Sequence, residues 1–103
     1  NYAEAYYERG KIYCTKIEYD KALLDYNKAI DLNPRYRNAY VERALIHLKK
    51  SEWEKVIEDC NKAIELHPTG YNADAYGLRG EAYLKTGQKS KAEEDFLRSK
   101  PDD

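Results

Sequence analysis

Apolar residues along this chain recur at helical spacing: Ala22, Leu23, Tyr26, Ala29 and Ile30 form one stripe, and Val56, Ile57, Cys60, Ala63 and Ile64 repeat it. Each stripe predicts an amphipathic helix with one face turned inward. Upstream of each lies a second periodic stretch, marked by Tyr6, Gly10 and Tyr13, then Tyr40, Ala44 and His47, then Tyr76, Gly80 and Tyr83. The pattern predicts helical hairpins, with Gly10, Ala44 and Gly80 opposing Ala22, Val56 and Ala92 so that paired backbones approach closely.

The hairpins are copies of one unit. A shift of 34 residues places Tyr6 on Tyr40, Tyr19 on Trp53, Ala29 on Ala63 and Pro34 on Pro68. A shift of 36 then places Tyr40 on Tyr76, Arg43 on Arg79, Val56 on Ala92 and Cys60 on Phe96. The two extra residues fit the stretch from Pro68 to Asn72, because a surface turn absorbs an insertion that would rotate a helix face out of register. Pro34 and Pro68 end second helices, since proline cannot continue an interior turn, and Gly87 ends a first helix. Ser51 followed by Glu54 reads as a capping box. Ile17 is the odd member of the turn set, because a β-branched residue resists a left-handed backbone; the first turn is expected to differ from the third.

The spacing Tyr6, Gly10, Tyr13, Ala22, Tyr26, Ala29, Pro34 resembles the tetratricopeptide repeat (TPR), and the resemblance extends over nearly the whole chain. Departures are His47 for a tyrosine, Val56 for an alanine and Ser99 for an alanine. The resemblance implies an all-α fold, a right-handed superhelical stack of three antiparallel helix-turn-helix hairpins, with repeats at about 3-36, 37-70 and 73-103 in a single domain. It also implies a protein-interaction scaffold, not an enzyme. A fold family of this kind does not name its ligand.

A solenoid repeat buries its neighbour's face, so a terminal repeat turns polar there. Leu23 and Ile57 become Glu93 in the third copy, and Ile30 and Ile64 become Lys100; Pro101 then stops the last helix early. The first helix instead keeps Ala5 and Ile12 where the second copy has Ala39 and Ile46. With no methionine in the chain, the expectation is the last three repeats of a longer array, able to self-associate through that N-terminal helix.

Composition narrows the partners. Hydrophobic residues make up 42% of 103, enough to fold one domain, and 18 basic against 19 acidic residues give no electrostatic reason to bind nucleic acid or an anionic membrane. No apolar stretch approaches the roughly 20 residues that span a bilayer. Cys14 and Cys60 are isolated and suit a reducing compartment, so cytoplasm is the default expectation. Neither His47 nor His67 has a second ligand at helical spacing, so no metal or cofactor is expected. Gly87-Gln88-Lys89-Ser90 lacks the strand and the Gly-Lys step of a phosphate loop. Most of the eleven tyrosines hold repeat positions, which assigns them to packing, not base stacking.

Two sets of residues remain. Arg9, Arg43 and Arg79 share one register position, and Asp25, Asp59 and Asp95 another, predicting a ladder of bidentate ion pairs; the alternative is an anion-binding row of arginines. By the resemblance, first helices line the concave face. There the candidate partner-binding groove is Tyr7, Lys11, Cys14, Val41, Glu42, Leu45, Leu48, Lys49, Asp74, Leu78, Glu81, Leu84 and Lys85, with Glu4 and Glu8 nearby. Leu48 and Leu84 fit gap filling between hairpins equally well.

Some members of the family are chaperone co-factors that grip a C-terminal carboxylate with lysine, asparagine and arginine. The corresponding places here hold Tyr7, Lys11, Glu42, Asp74 and Leu78, so acidic chaperone tails are not expected to bind. The expected partner is a neutral to basic peptide or protein. A self-assembling structural segment is the alternative.

Overall fold

The computed structural model describes residues 1–100. It contains six helices: α1 (Tyr2–Thr15), α2 (Tyr19–Leu32), α3 (Arg37–Lys49), α4 (Trp53–Leu66), α5 (Ala73–Lys85) and α6 (Lys89–Ser99). Each odd-numbered helix pairs with the next to form a hairpin, and α2 packs on α3 and α4 on α5 to stack the hairpins. Two buried clusters run through the stack. One joins Tyr7, Ala22, Tyr26 and Ala29 to Ala39 and Ile46; the other joins Ala44, Val56, Cys60 and Ala63 to Ala75 and Ala82. Each cluster spans a hairpin and the first helix of the next, as expected when one repeat covers the face of its neighbour.

The turns within hairpins are alike, contrary to the expectation that Ile17 would set the first apart. Ile17 and Ser51 adopt φ of 60° and Gly87 adopts 82°. In all three, the amide two residues past the helix cap donates to the last-turn carbonyl five residues back: Glu18 to Tyr13 at 2.9 Å, Glu52 to His47 at 2.9 Å and Gln88 to Tyr83 at 2.8 Å. These Schellman hydrogen bonds satisfy carbonyls the helix leaves unpaired and hold the intervening residue left-handed whatever its side chain. Ile17 and Ser51 carry the resulting strain, about 1 kcal/mol or more each. The capping box is also corrected. Ser51 occupies the left-handed turn position, and Glu52 caps α4 without a side-chain hydrogen bond. Asn1 does cap α1, its side chain accepting from the Glu4 amide at 3.1 Å.

Close approach within a hairpin involves different partners from those expected. A Cβ added at Gly10 would stand 2.7 Å from the Tyr26 ring, and one at Gly80 would stand 2.7 Å from the Phe96 ring. Tyr26 and Phe96, not Ala22 and Ala92, are what the glycines admit. The second hairpin makes the reciprocal choice: Ala44 takes the glycine position and Cys60 the aromatic one, both fully buried. One methyl gained is matched by a ring lost.

The arginine ladder forms. Arg9 donates through Nε and Nη2 to both Asp25 oxygens at 2.8 Å, Arg43 to Asp59 at 2.9 and 2.7 Å, and Arg79 to Asp95 at 2.8 Å twice. All three aspartates are buried, so each carboxylate needs its fork of donors. Arg43 also reaches Asn27 at 2.9 Å, and Arg79 reaches Asn61 at 2.7 Å, each on the second helix of the preceding hairpin. These commitments leave the arginines as structural ties, not an anion-binding row.

Glu93 and Lys100 are exposed, and so is Ala5, whereas Ala39 is buried. Pro101 lies outside the described residues. The insertion between the second and third copies falls after α4, where buried Asn72 donates to the His67 carbonyl at 2.7 Å.

Candidate functional site

Helices α1, α3 and α5 carry the thirteen groove residues, and the structure divides them into three groups. At the first hairpin, Tyr7 is only 7% exposed and packs against Tyr36 at 5.0 Å and Tyr26 at 5.9 Å between ring centroids. Lys11 covers its ring at 5.4 Å. Burial pushes the Tyr7 phenol up to about 12, with the Glu42 carboxylate acting in the same direction. Cys14 lies 3.5 Å from the Tyr26 hydroxyl and packs on the core.

The second group surrounds a cavity of about 520 Å³ between α3 and α5. Six expected residues line it: Val41, Glu42, Leu45, Asp74, Leu78 and Glu81. Ala73, Gly77, Phe96 and Ser99 complete the lining. The repeat register could have found Gly77, since it shares a position with Tyr7 and Val41. The contribution of Phe96 and Ser99 from α6 comes from hairpin packing and has no signature on the first helices.

The third group, toward the helix C-termini, is dispersed. Leu48 is half-buried against the second core cluster, which supports gap filling. Leu84 is 49% exposed, and Lys49 and Lys85 are exposed.

Charge around the cavity is uneven. Arg37, at the start of α3, donates to Asp74 through Nη1 at 3.1 Å and through Nη2, and to Asn72 at 2.9 and 3.2 Å. Burial would raise the Asp74 carboxyl, but Arg37 and the Ala75 amide together hold it below the usual carboxylate range. Asp74 is thus neutralised locally. Glu42 and Glu81 have no ion-pair partner among the described residues. Half-buried Glu42 is raised above its ordinary range by desolvation, with Asp74 adding to the effect and Lys11 opposing it.

A second concavity, about 470 Å³, lies between α2, α3 and α4 beside His47. His47 Nδ1 lies 2.9 Å from Glu52 and Nε2 lies 3.7 Å from Asp59, so the ring serves the turn and the ladder. Among the described residues no cluster of three or more His, Cys, Asp or Glu could hold a metal ion, and no helix is long and apolar enough to cross a membrane.

Comparison with known proteins accords with this geometry. Tetratricopeptide repeat models match residues 3–36 and 60–94. No curated protein matches the chain. Among solved structures, the Arabidopsis OM64 TPR domain is 28% identical with a TM-score of 0.90, over 95% of this chain and 79% of that one. The second TPR of Spaghetti, solved bound to the HSP90 peptide SRMEEVD, is 26% identical with a TM-score of 0.90, over 96% and 90%. MamA is 32% identical with a TM-score of 0.86, over 94% of this chain and 56% of its own. Six helices in three stacked hairpins, the two repeat matches and these neighbours agree: the chain belongs to the tetratricopeptide repeat family.

Proposed function

We propose that this chain is a non-catalytic scaffold whose concave groove binds a protein or peptide partner of neutral to basic character. The observation that carries the reading is the convergence of Val41, Glu42, Leu45, Asp74, Leu78 and Glu81 from two helices around one cavity. An apolar wall supplies burial, and carboxylates at its edge select the sign of what enters. The peptide-bound Spaghetti domain supports a peptide partner in general. Its acidic peptide is not the expected ligand here, because Glu42 and Glu81 repel a carboxylate and Lys11 is engaged over Tyr7.

Titration of the chain with SRMEEVD, followed by amide chemical shifts, is expected to give no saturable change; saturable binding at micromolar peptide would overturn the exclusion. For partners captured by the native chain, Leu45→Ala and Leu78→Ala are expected to weaken binding by about tenfold or more each while the helices stay folded. Unchanged affinity in both would refute the groove.

Assembly through the outer face of α1, where Ala5 and Ile12 are exposed, is the second reading. Light scattering over a concentration series decides it, a strict monomer at high concentration counting against it.

A further inference from the structure

The groove is not uniform along its length. Tyr7, Val41 and Gly77 occupy one register position on successive first helices, so side-chain bulk falls from a ring to an isopropyl group to nothing. At the first hairpin the position is filled: Tyr7 is buried against Tyr36. At the third it is empty. A Cβ at Gly77 would meet only Ser99, at the ordinary contact distance of 3.7 Å, so backbone crowding does not require glycine there. This distinguishes Gly77 from Gly10 and Gly80, whose missing Cβ atoms admit aromatic rings. The space left by Gly77 belongs to the 520 Å³ cavity, walled by Val41, Leu45, Leu78 and Phe96.

We propose that the hollow at Gly77, one part of this cavity, is a specificity pocket for one apolar side chain of leucine or phenylalanine size, on a peptide carrying lysine or arginine beside it. The inference rests on the scaffold reading and names what that scaffold selects. Val41, Leu45, Leu78 and Phe96 offer burial, and the Ser99 hydroxyl beside them already donates to the Phe96 carbonyl at 2.8 Å, favouring a hydrocarbon side chain. The mouth sets the neighbour. Arg37 cancels Asp74, whereas Glu42 and Glu81 form no salt bridge among the described residues, Lys11 acting on Glu42 only from a longer distance, so a basic residue flanking the inserted side chain completes their pairing. An acidic neighbour would meet two like charges.

Selection from a phage-displayed library of random dodecapeptides tests the proposal. Peptides enriched on the native chain are expected to share a Leu or Phe adjacent to Lys or Arg. Gly77→Leu places a side chain in the hollow itself and is expected to weaken those peptides by about tenfold or more. Because that variant could shift α6, the Glu42→Gln/Glu81→Gln double variant serves as an independent measurement. It should keep the apolar requirement and lose the preference for Arg over Gln in the peptide, again by about tenfold.

Enriched peptides lacking the pair, or binding Gly77→Leu as tightly as the native chain, would overturn the pocket. If such peptides are lost on Lys11→Ala or Leu84→Ala, groove residues outside the pocket, the scaffold reading stands while the pocket falls. Failure to enrich any peptide would count against both.

Discussion

Helices α1 and α3 carry the same residue at five register positions, Ala5 and Ala39, Tyr6 and Tyr40, Glu8 and Glu42, Arg9 and Arg43, and Ile12 and Ile46, and meet different surroundings. Ile12 is 55% exposed and Ile46, its counterpart, 1%. The Arg9 side chain is 57% exposed against 23% for Arg43, although both grip a buried aspartate. The difference lies outside each hairpin: α2 packs across α3 and supplies Asn27 to Arg43, and no described element does so for α1. In this architecture a side chain's energetic weight is set by the adjacent repeat as much as by its own.

Removing an aspartate from the ladder gives the sharpest contrast. Asp59→Ala leaves half-buried Arg43 without its carboxylate and is expected to cost about 4 kcal/mol. Asp25→Ala should cost clearly less in the same urea titrations, because Arg9 already stands in water; equal losses would break the comparison. Next, Ile46→Ala is expected to lose about 3 kcal/mol by emptying a closed site. Ile12→Ala should stay within about 0.5 kcal/mol in thermal melts.

Packing within the two hairpins offers a third contrast. Cys60→Phe alone should overpack the second hairpin by about 2 kcal/mol, and adding Ala44→Gly should recover much of that by recreating the glycine and aromatic pairing of the other two. Additive losses in the double-mutant cycle would refute reciprocal packing. In the turns, Ile17→Gly removes left-handed strain from an exposed residue and is expected to stabilise by about 1 kcal/mol, measured as a higher melting temperature.

The smallest effect is one of pH and belongs to the second hairpin. The Glu52 carboxyl is held below its ordinary range, first by the hydrogen bond with His47. Its stabilising contribution is present above the unfolded carboxylate range and lost as pH falls through the lowered folded value. Glu52→Gln should therefore flatten the acid limb of stability, and an unaltered limb would show that the contact contributes nothing.

The repeat register made the helices, hairpin pairing and arginine ladder legible, because those features depend on residue type at fixed spacing. Ile17 misled because its β-branch argues about one residue, whereas Schellman hydrogen bonds from its neighbours set its backbone. Ser51 misled for the same reason: a capping motif was read where a turn was being closed. In the groove, the family resemblance placed thirteen residues on the first helices, and only the structure brings six of them around one cavity. The hollow at Gly77 could not be read from sequence, because an absent side chain has meaning only once Phe96 and Ser99 stand around it. Arg37 has no repeated counterpart, and its hold on Asp74 reverses the weight that periodicity alone gives that carboxylate.

The reach of Arg43 to Asn27 and of Arg79 to Asn61 has a consequence for how the chain comes apart. Each guanidinium that clips its own hairpin also stitches it to the one before, so opening any hairpin loosens a junction at the same moment. Fraying from one end therefore costs a ladder pair and a stitch together, which couples each hairpin to its neighbour.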